Sequence, residues 1–221
     1  MTAGLIQLDI DPADLDPDGI AENQTTAGAG NLTLNGALCD LGTAGRFDIG
    51  DAYSDGIGGV KLLFDSAGDI SGVTFTITGK DQDGNSITED VTGVTTAAVS
   101  TTKYYSQVTQ IAADGAVASN VFVGTVGGAL ASKAVLINHY SNTAAAYAVT
   151  GLSGTCQFDV EQTFVDLASS TAGATWFVVE SNGSADLAGA AAAGATGLRL
   201  VLDSYTNGAE LQFHASYNPY R

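Results

Sequence analysis

The residues best suited to chemistry in this 221-residue chain are two groups of closely spaced oxygen donors. Asp81, Asp83 and Asn85 offer oxygens at alternate positions, and the stretch Asp9–Asp18 offers five carboxylates. Calcium takes about six to eight oxygen ligands, so each group is a candidate calcium site. An EF-hand loop places its glycine later and ends on a distant Glu, whereas Gly84 comes early. Turn chemistry also explains an Asp-Gly-Asn sequence, so both interpretations stay open.

The histidines provide weaker evidence for a catalytic or metal site than the oxygen donors do. The chain has two histidines, His139 and His214, and neither has a His, Cys or Glu at a familiar ligand spacing. The motifs HExxH and GxSxG and the P-loop are missing from the sequence. His214 is predicted on the polar, solvated face of a strand, and His139 at a strand end. We therefore expect no enzyme, and we assign no catalytic, cofactor-binding or metal residue.

Several aromatic residues suggest carbohydrate binding as an alternative. Tyr104, Tyr105, Tyr140, Tyr147 and Trp176 could form stacking platforms for sugars. Aromatic side chains are equally favoured inside sheets and at subunit interfaces, and this is the use that we expect here.

The charge balance restricts the partners. Seven Lys and Arg against 24 Asp and Glu give a net charge of -17. Phosphate binding needs clustered cations, so we expect no nucleic-acid partner, and an anionic membrane surface is excluded in the same way. No apolar run approaches the roughly 18 residues that span a bilayer. A stable partner must therefore offer shape complementarity, apolar area or basic residues.

Cysteine usage and the N-terminus indicate cytoplasmic synthesis. Cys39 and Cys156 both lie in apolar surroundings and are predicted to be buried free thiols. The first residues lack the basic start and long apolar core of a secretory signal.

Alternating short runs predict an all-β protein, with an antiparallel β-sandwich or jelly-roll-like body. The clearest element is a hairpin in which Val73–Thr78 and Ser86–Thr92 flank an Asp-Gly turn. No segment has a convincing helical period, although Ser184–Ala195 could form a short alanine-rich turn of helix. The other predicted strands are Arg46–Ile49, Gly59–Asp65, Tyr104–Ala112, Ala116–Val123, Lys133–Asn138, Thr155–Val165, Trp176–Glu180, Gly197–Asp203 and Glu210–Tyr217.

The chain is predicted to have three parts. Residues 1–30 form an extended arm, because prolines cannot donate to a sheet and repeated carboxylates resist burial. Residues 31–130 form a β-sandwich domain, and residues 131–221 form a second β unit that could belong to the same domain. The segments Gly59–Ser66 and Gly197–Ser204 are similar in order and chemistry. This similarity indicates either a duplicated β unit, with a boundary near residues 125–140, or two independent hairpins.

Most of the chain resembles a group of tailed-bacteriophage virion proteins. The resemblance begins with an N-terminal stretch and continues through a threonine-rich β core into the second half. The matching segments are Asp16–Leu38, Gly72–Gly79 (GVTFTITG), Glu89–Gly93 (EDVTG), Ser100–Lys103, Val108–Ile111, Phe158–Asp166 (FDVEQTFVD) and Trp176. The group supplies no catalytic or ligand residue that transfers to this chain.

This resemblance implies a virion structural protein, made in the host cytoplasm and assembled in many copies. We expect a capsid decoration (cement) protein that binds the major capsid protein on the outer shell, as a homo-oligomer with a trimer favoured. Residues 1–30 would then be the capsid-facing element. The alternatives are a neck, tail or fibre-associated component and a host-surface glycan-binding module.

Overall fold

The computed structural model describes residues 4–39, 41–137, 144–167, 171 and 173–217. Within these residues β-strands are the main secondary structure, with one short helical turn. The elements in chain order are β1 Gly4–Ile10, β2 Ala21–Thr26, β3 Gly30–Asn31, β4 Phe47–Asp48, α1 Ile49–Ala52, β5 Ile57–Ser66, β6 Thr74–Lys80, β7 Ser86–Thr92, β8 Val99–Ser100, β9 Gln107–Ala113, β10 Val117–Ser132, β11 Val135–Leu136, β12 Ala146–Ser153, β13 Cys156–Thr163, β14 Trp176–Gly183, β15 Leu187–Ala190, β16 Gly197–Tyr205 and β17 Glu210–Tyr217.

The predicted all-β, antiparallel, sandwich-like fold is confirmed. The predicted hairpin is also confirmed, because β6 and β7 pair in unbroken register from Thr74↔Thr92 to Lys80↔Ser86. Gly84 closes its turn with a φ of 81°, a backbone angle that glycine adopts without strain. Local alternation and turn chemistry were sufficient to specify this hairpin.

The chain divides into two compact units. The β14 unit comprises Met1–Asp14, Tyr53–Gly58 and Gly127–Arg221, and the β7 unit comprises Leu15–Ala52 and Gly59–Val126. The chain therefore passes between units at residues 14/15, 52/53, 58/59 and 126/127. The last passage falls within the long strand β10, inside the range 125–140 named for the boundary of a duplicated unit. The first 14 residues belong with the C-terminal part of the chain rather than to a separate region.

The β14 unit contains two groups of antiparallel strands. One sheet has the order β1-β17-β12-β15, and the other group has the order β14-β13-β16, with β11 also on β16. Cys156, Phe158 and Val160 alternate inward along β13, as predicted. Leu211 and Phe213 do the same on β17. These buried side chains form the core of this unit.

The β7 unit is built around the sheet β3-β9-β6-β7, with β4 also paired to β9. The strands β5 and β8 pair with each other, and β2 pairs with β10 from Val117 to Val123. The buried rings of Phe64 on β5 and Phe75 on β6 lie 5.2 Å apart between centroids. This contact joins strands of different sheets, which is the arrangement of a sandwich.

The N-terminal segment is extended, but two parts of it are paired strands. All of β1 pairs with β17, from Gly4↔Tyr217 to Ile10↔Leu211, and β2 pairs with β10. The prediction of an unpaired arm was based on the aspartates and prolines of residues 1–30. It did not take into account the apolar alternation that ends at Ile10. Pro12 and Pro17 lie between β1 and β2, where they interrupt no ladder of backbone hydrogen bonds.

The alanine-rich turn of helix expected within Ser184–Ala195 is wrong. Residues Leu187–Ala190 form the strand β15, which pairs with β12 from Val149↔Leu187 to Ala146↔Ala190. A packing site on a sheet therefore overrides the helix propensity of alanine, which is a weak preference over so few residues.

Candidate subunit-contact surface

The first predicted calcium group is a hydrogen-bonded turn. Asp81 Oδ1 accepts hydrogen bonds from the backbone N–H groups of Asp83 and Asn85, each at 2.9 Å. The amide Nδ2 of Asn85 donates to Asp81 Oδ2 at 3.2 Å. The oxygens of Asp81 thus stabilise the β6–β7 turn, which agrees with the turn interpretation of this sequence.

The second predicted group is spread along the chain. Asp9 Oδ1 accepts from the side-chain amides of Gln7 and Gln212, at 3.0 and 3.1 Å. Asp16 Oδ1 accepts from the backbone N–H of Asp18 at 3.3 Å, and partial burial raises the pKa of Asp16. Among the described residues, no three His, Cys, Asp or Glu side chains are grouped to hold a metal ion.

The remaining candidates for chemistry serve structural roles. His214 lies on the polar face of β17, as predicted, but it is half-buried, and its Nε2 lies 2.9 Å from Thr150 Oγ1. His139 lies outside the described residues. Cys39 and Cys156 are buried free thiols, as predicted. Burial raises the pKa of Cys156 to about 11, so this thiol is protonated and unreactive at neutral pH.

The tyrosines proposed as sugar platforms are largely internal. Tyr105 and Tyr147 are buried, and Tyr104 carries the Lys61 ammonium 5.0 Å from its ring centroid. Tyr140 lies outside the described residues. The expected use of these aromatics inside the protein is therefore correct for Tyr105 and Tyr147.

The largest group of exposed apolar side chains lies where β13 ends and β14 begins. We call this group the β14 surface. Phe164 and Phe177 are 48% and 50% exposed, with ring centroids 6.0 Å apart, and Val178 is also 50% exposed. The residues of the β14 surface are Phe164, Val165, Trp176, Phe177 and Val178. Exposed apolar residues grouped along one strand edge in this way are typical of surfaces that bind another molecule.

Two buried threonines fix the backbone beneath this surface. Thr163 Oγ1 donates to the Thr175 carbonyl at 2.7 Å and accepts from the Val165 N–H at 3.2 Å. Thr196 donates its backbone N–H to the Thr163 carbonyl at 2.8 Å, and its hydroxyl lies within hydrogen-bonding distance of the same oxygen. Phe164 and Val165 are therefore held in place before any partner binds, which lowers the entropic cost of binding.

The electrostatics of the surface differ from those of the chain as a whole. Residues 167–179 include no Asp, Glu, Lys or Arg, although the chain carries a net charge of -17. The adjacent ion pair, Arg199 Nε to Glu161 Oε2, is 2.6 Å long. The Arg199 guanidinium also lies 4.3 Å from the Trp176 ring centroid, in cation–π geometry. The side chains of the β14 surface are thus uncharged, and the neighbouring Arg199 and Glu161 neutralise each other. Two acidic residues, Asp166 and Glu180, adjoin the surface in sequence.

Sequence reasoning predicted a strand at Trp176–Glu180 but not its place at the margin of a sheet. In the part of the chain that the structure describes, the strand order gives β14 a single neighbour, β13. The available signal was the run of four consecutive apolar residues from Trp176, in a chain where most strands alternate. Such a run favours burial on both faces, and an exposed edge strand of this composition needs a cover.

No family model, curated protein or solved structure matches this chain. In the part of the chain that the structure describes, no helix is long and apolar enough to cross a membrane.

Proposed function

We propose that this chain is a structural subunit of a bacteriophage virion, and specifically a capsid decoration protein on the outer shell. The observation that carries the assembly role is the β14 surface, which offers uncharged, preorganised apolar area on an otherwise acidic protein. The virion setting comes from the sequence resemblance. Both features fit a protein whose work is to bind other protein subunits.

The charge supports a place on the outside of the shell. A protein with a net charge of -17, repeated over the inner face, would repel packaged DNA. The outer face carries no such penalty, and physiological salt screens repulsion between neighbours beyond roughly 8 Å.

The proposed contact differs from the one expected from sequence. Residues 4–10 and 21–26 are strands paired within the two units, so a large part of the expected arm already has partners. The β14 surface takes its place as the proposed subunit contact. Weak contacts of this kind, repeated over neighbouring subunits, add through effective concentration.

The direct test is the position and number of copies in the virion encoded together with this chain. Cryo-electron microscopy should show its density repeated over the shell, and Val178→Lys should lower the occupancy of the bound chain. The control is Leu5→Lys, which makes the same charge change at another exposed apolar position. Density confined to the portal vertex would favour a neck or tail component, and a virion lacking the chain would refute the proposal.

A further inference from the structure

The strand β14 has an open edge. It pairs with β13, and no second strand of the described residues pairs with it. Pairing is regular where Trp176, Phe177 and Val178 face Thr163, Gln162 and Glu161. The register shifts directly after Val178, where Glu180 pairs with Val160, and Asn182 further along has a φ of 55°. Residues 176–178 therefore present a short regular row of backbone donors and acceptors to an incoming strand.

Both faces of this edge are apolar. Phe177 lies opposite the buried Gln162, on the side of the sheet that faces the core, yet half of its surface is exposed. Val178 lies on the other side, opposite Glu161, and is equally exposed. An added strand would bring its own side chains against both residues. Backbone pairing and apolar burial would thus act together, as in β-strand addition.

The devices that normally protect an edge are missing from this part of β14. Lysine, proline and inward-pointing charges are the usual protection, and none occurs at residues 174–179. The edge strand β1 of the same unit differs, because its exposed positions Leu5, Gln7 and Asp9 include a carboxylate. At the opposite margin of that sheet, the edge strand β15 has four residues, and such a short strand offers little edge for another chain to pair with.

The net charge of the chain limits which partners can bind at the β14 surface. Two copies with a net charge of -17 repel each other over most of their surfaces, so self-contact is least opposed where charge is lacking. A strongly basic partner would gain most from the acidic surfaces and nothing electrostatic from residues 167–179. The same uncharged edge is present on every copy, and an antiparallel pair of identical edges closes around a twofold axis.

We infer that the β14 surface is covered by a second copy of this chain, with the two β14 strands paired antiparallel. This inference rests on the proposed function, since it names the partner at the contact surface proposed there. It replaces the threefold contact expected from the resemblance by a twofold one.

Self-association of the purified full chain tests the inference. Sedimentation velocity between about 1 and 100 µM should show a monomer–dimer equilibrium that strengthens with added salt, because salt screens the repulsion between acidic copies. Phe177→Lys and Val178→Lys should each weaken dimerisation at least tenfold. Lys at position 178 would face Glu161 across the strand pair, so this variant should fold. Leu5→Lys is the control and should dimerise like the original chain.

Hydrogen exchange separates strand pairing from contact between side chains alone. The edge amides of residues 175–179 should become more protected as concentration rises, while those of β1 should not change. A chain that stays monomeric, a trimer, or a dimer that both lysine variants leave intact would each overturn the inference. A monomer would leave the virion proposal standing, because copy number in the particle is measured independently.

Discussion

The strands β7 and β14 both lie at the edge of a sheet, where backbone groups are open to pairing with another chain, and they differ in how this edge is covered. On β7, the Glu89 carboxylate accepts hydrogen bonds from the backbone N–H groups of Thr102 and Lys103, at 2.6 and 3.0 Å. Lys103 Nζ donates in return to the Thr88 carbonyl at 2.6 Å. A loop of the same unit thus covers part of the β7 edge. On β14, the described residues supply no such cover, and the exposed side chains of its first three residues are apolar.

The side chains follow the same division. The exposed positions of β7 include Thr88 and Asp90, whereas those of β14 include Phe177 and Val178. A protected edge is polar and bonded to its own chain, and an unprotected edge is apolar and uncharged. The contrast distinguishes a margin that ends a sheet from one suited to continue it in another molecule.

The largest effect on stability is expected from removing the side chain that holds the 102–103 loop over the edge of β7. Glu89→Ala removes the carboxylate that holds Thr102 and Lys103, and should lower the free energy of unfolding by about 2 kcal/mol. Chemical denaturation measures this change. Glu89→Gln is the matched variant and should lose less, because one acceptor oxygen remains. Equal stability of Glu89→Ala and the original chain would show that the loop does not depend on Glu89.

A smaller loss is expected beneath β14. Thr163→Val keeps the side-chain shape but removes the hydroxyl that bonds the Thr175 carbonyl and the Val165 N–H. The free energy of unfolding should fall by about 1–2 kcal/mol, since two partly buried hydrogen bonds to the backbone are lost. Hydrogen exchange at Val165 should accelerate. Thr109→Val, on an exposed strand position with a 3.2 Å bond to Thr78, is the control and should cost less.

Alkaline pH should weaken the β14 unit first. Burial raises the pKa of Cys156 to about 11 and that of Tyr205 to about 12, from ordinary values of 9 and 10. Between pH 9 and 11 the folded state keeps the Cys156 proton that the unfolded chain loses, so stability falls as pH rises. The loss due to Cys156 should be about 1 kcal/mol at pH 10.

The same titration distinguishes the two units. In the β7 unit, burial and the charge of Glu89 raise the pKa of Tyr105 further, so this group loses its proton last. Denaturation series from pH 8 to 10.5 measure the slope for the original chain and for Cys156→Ala, which should have a shallower one. Identical slopes would remove Cys156 as the cause.

The smallest effect is expected from making β7 more apolar. Asp90→Val removes the 2.7 Å hydrogen bond from Thr76 Oγ1, which is exposed, and should change stability by less than about 0.5 kcal/mol. The variant should not self-associate beyond the original chain, because the 102–103 loop still covers the edge. The double variant Asp90→Val, Val178→Lys provides the opposing outcome. If it still self-associates, an apolar strand composition would be sufficient to make a contact surface without an open edge.

Local patterns predicted much of the fold and little of the site. The β6–β7 hairpin depends on alternation and an Asp-Gly turn, both visible within about 20 residues, and it was predicted correctly. The pairing of β1 with β17 joins the two ends of the chain, and no local signal specifies it. The β14 surface depends on strand order, because the same four apolar residues would be buried in a central strand. The protective role of Glu89 was equally hidden, since it depends on a loop 13 residues away.

The pairing of β1 with β17 also sets the order in which the protein can mature. The strand β1 leaves the ribosome long before its partner β17, which ends at Tyr217. The β7 unit is complete once residue 126 has emerged, so it can fold while translation continues. The β14 unit must wait until β17 has emerged. Translation products that stop before β17 therefore lack the sheet that completes the β14 unit, and entry into an assembly through β14 is restricted to molecules that contain β17.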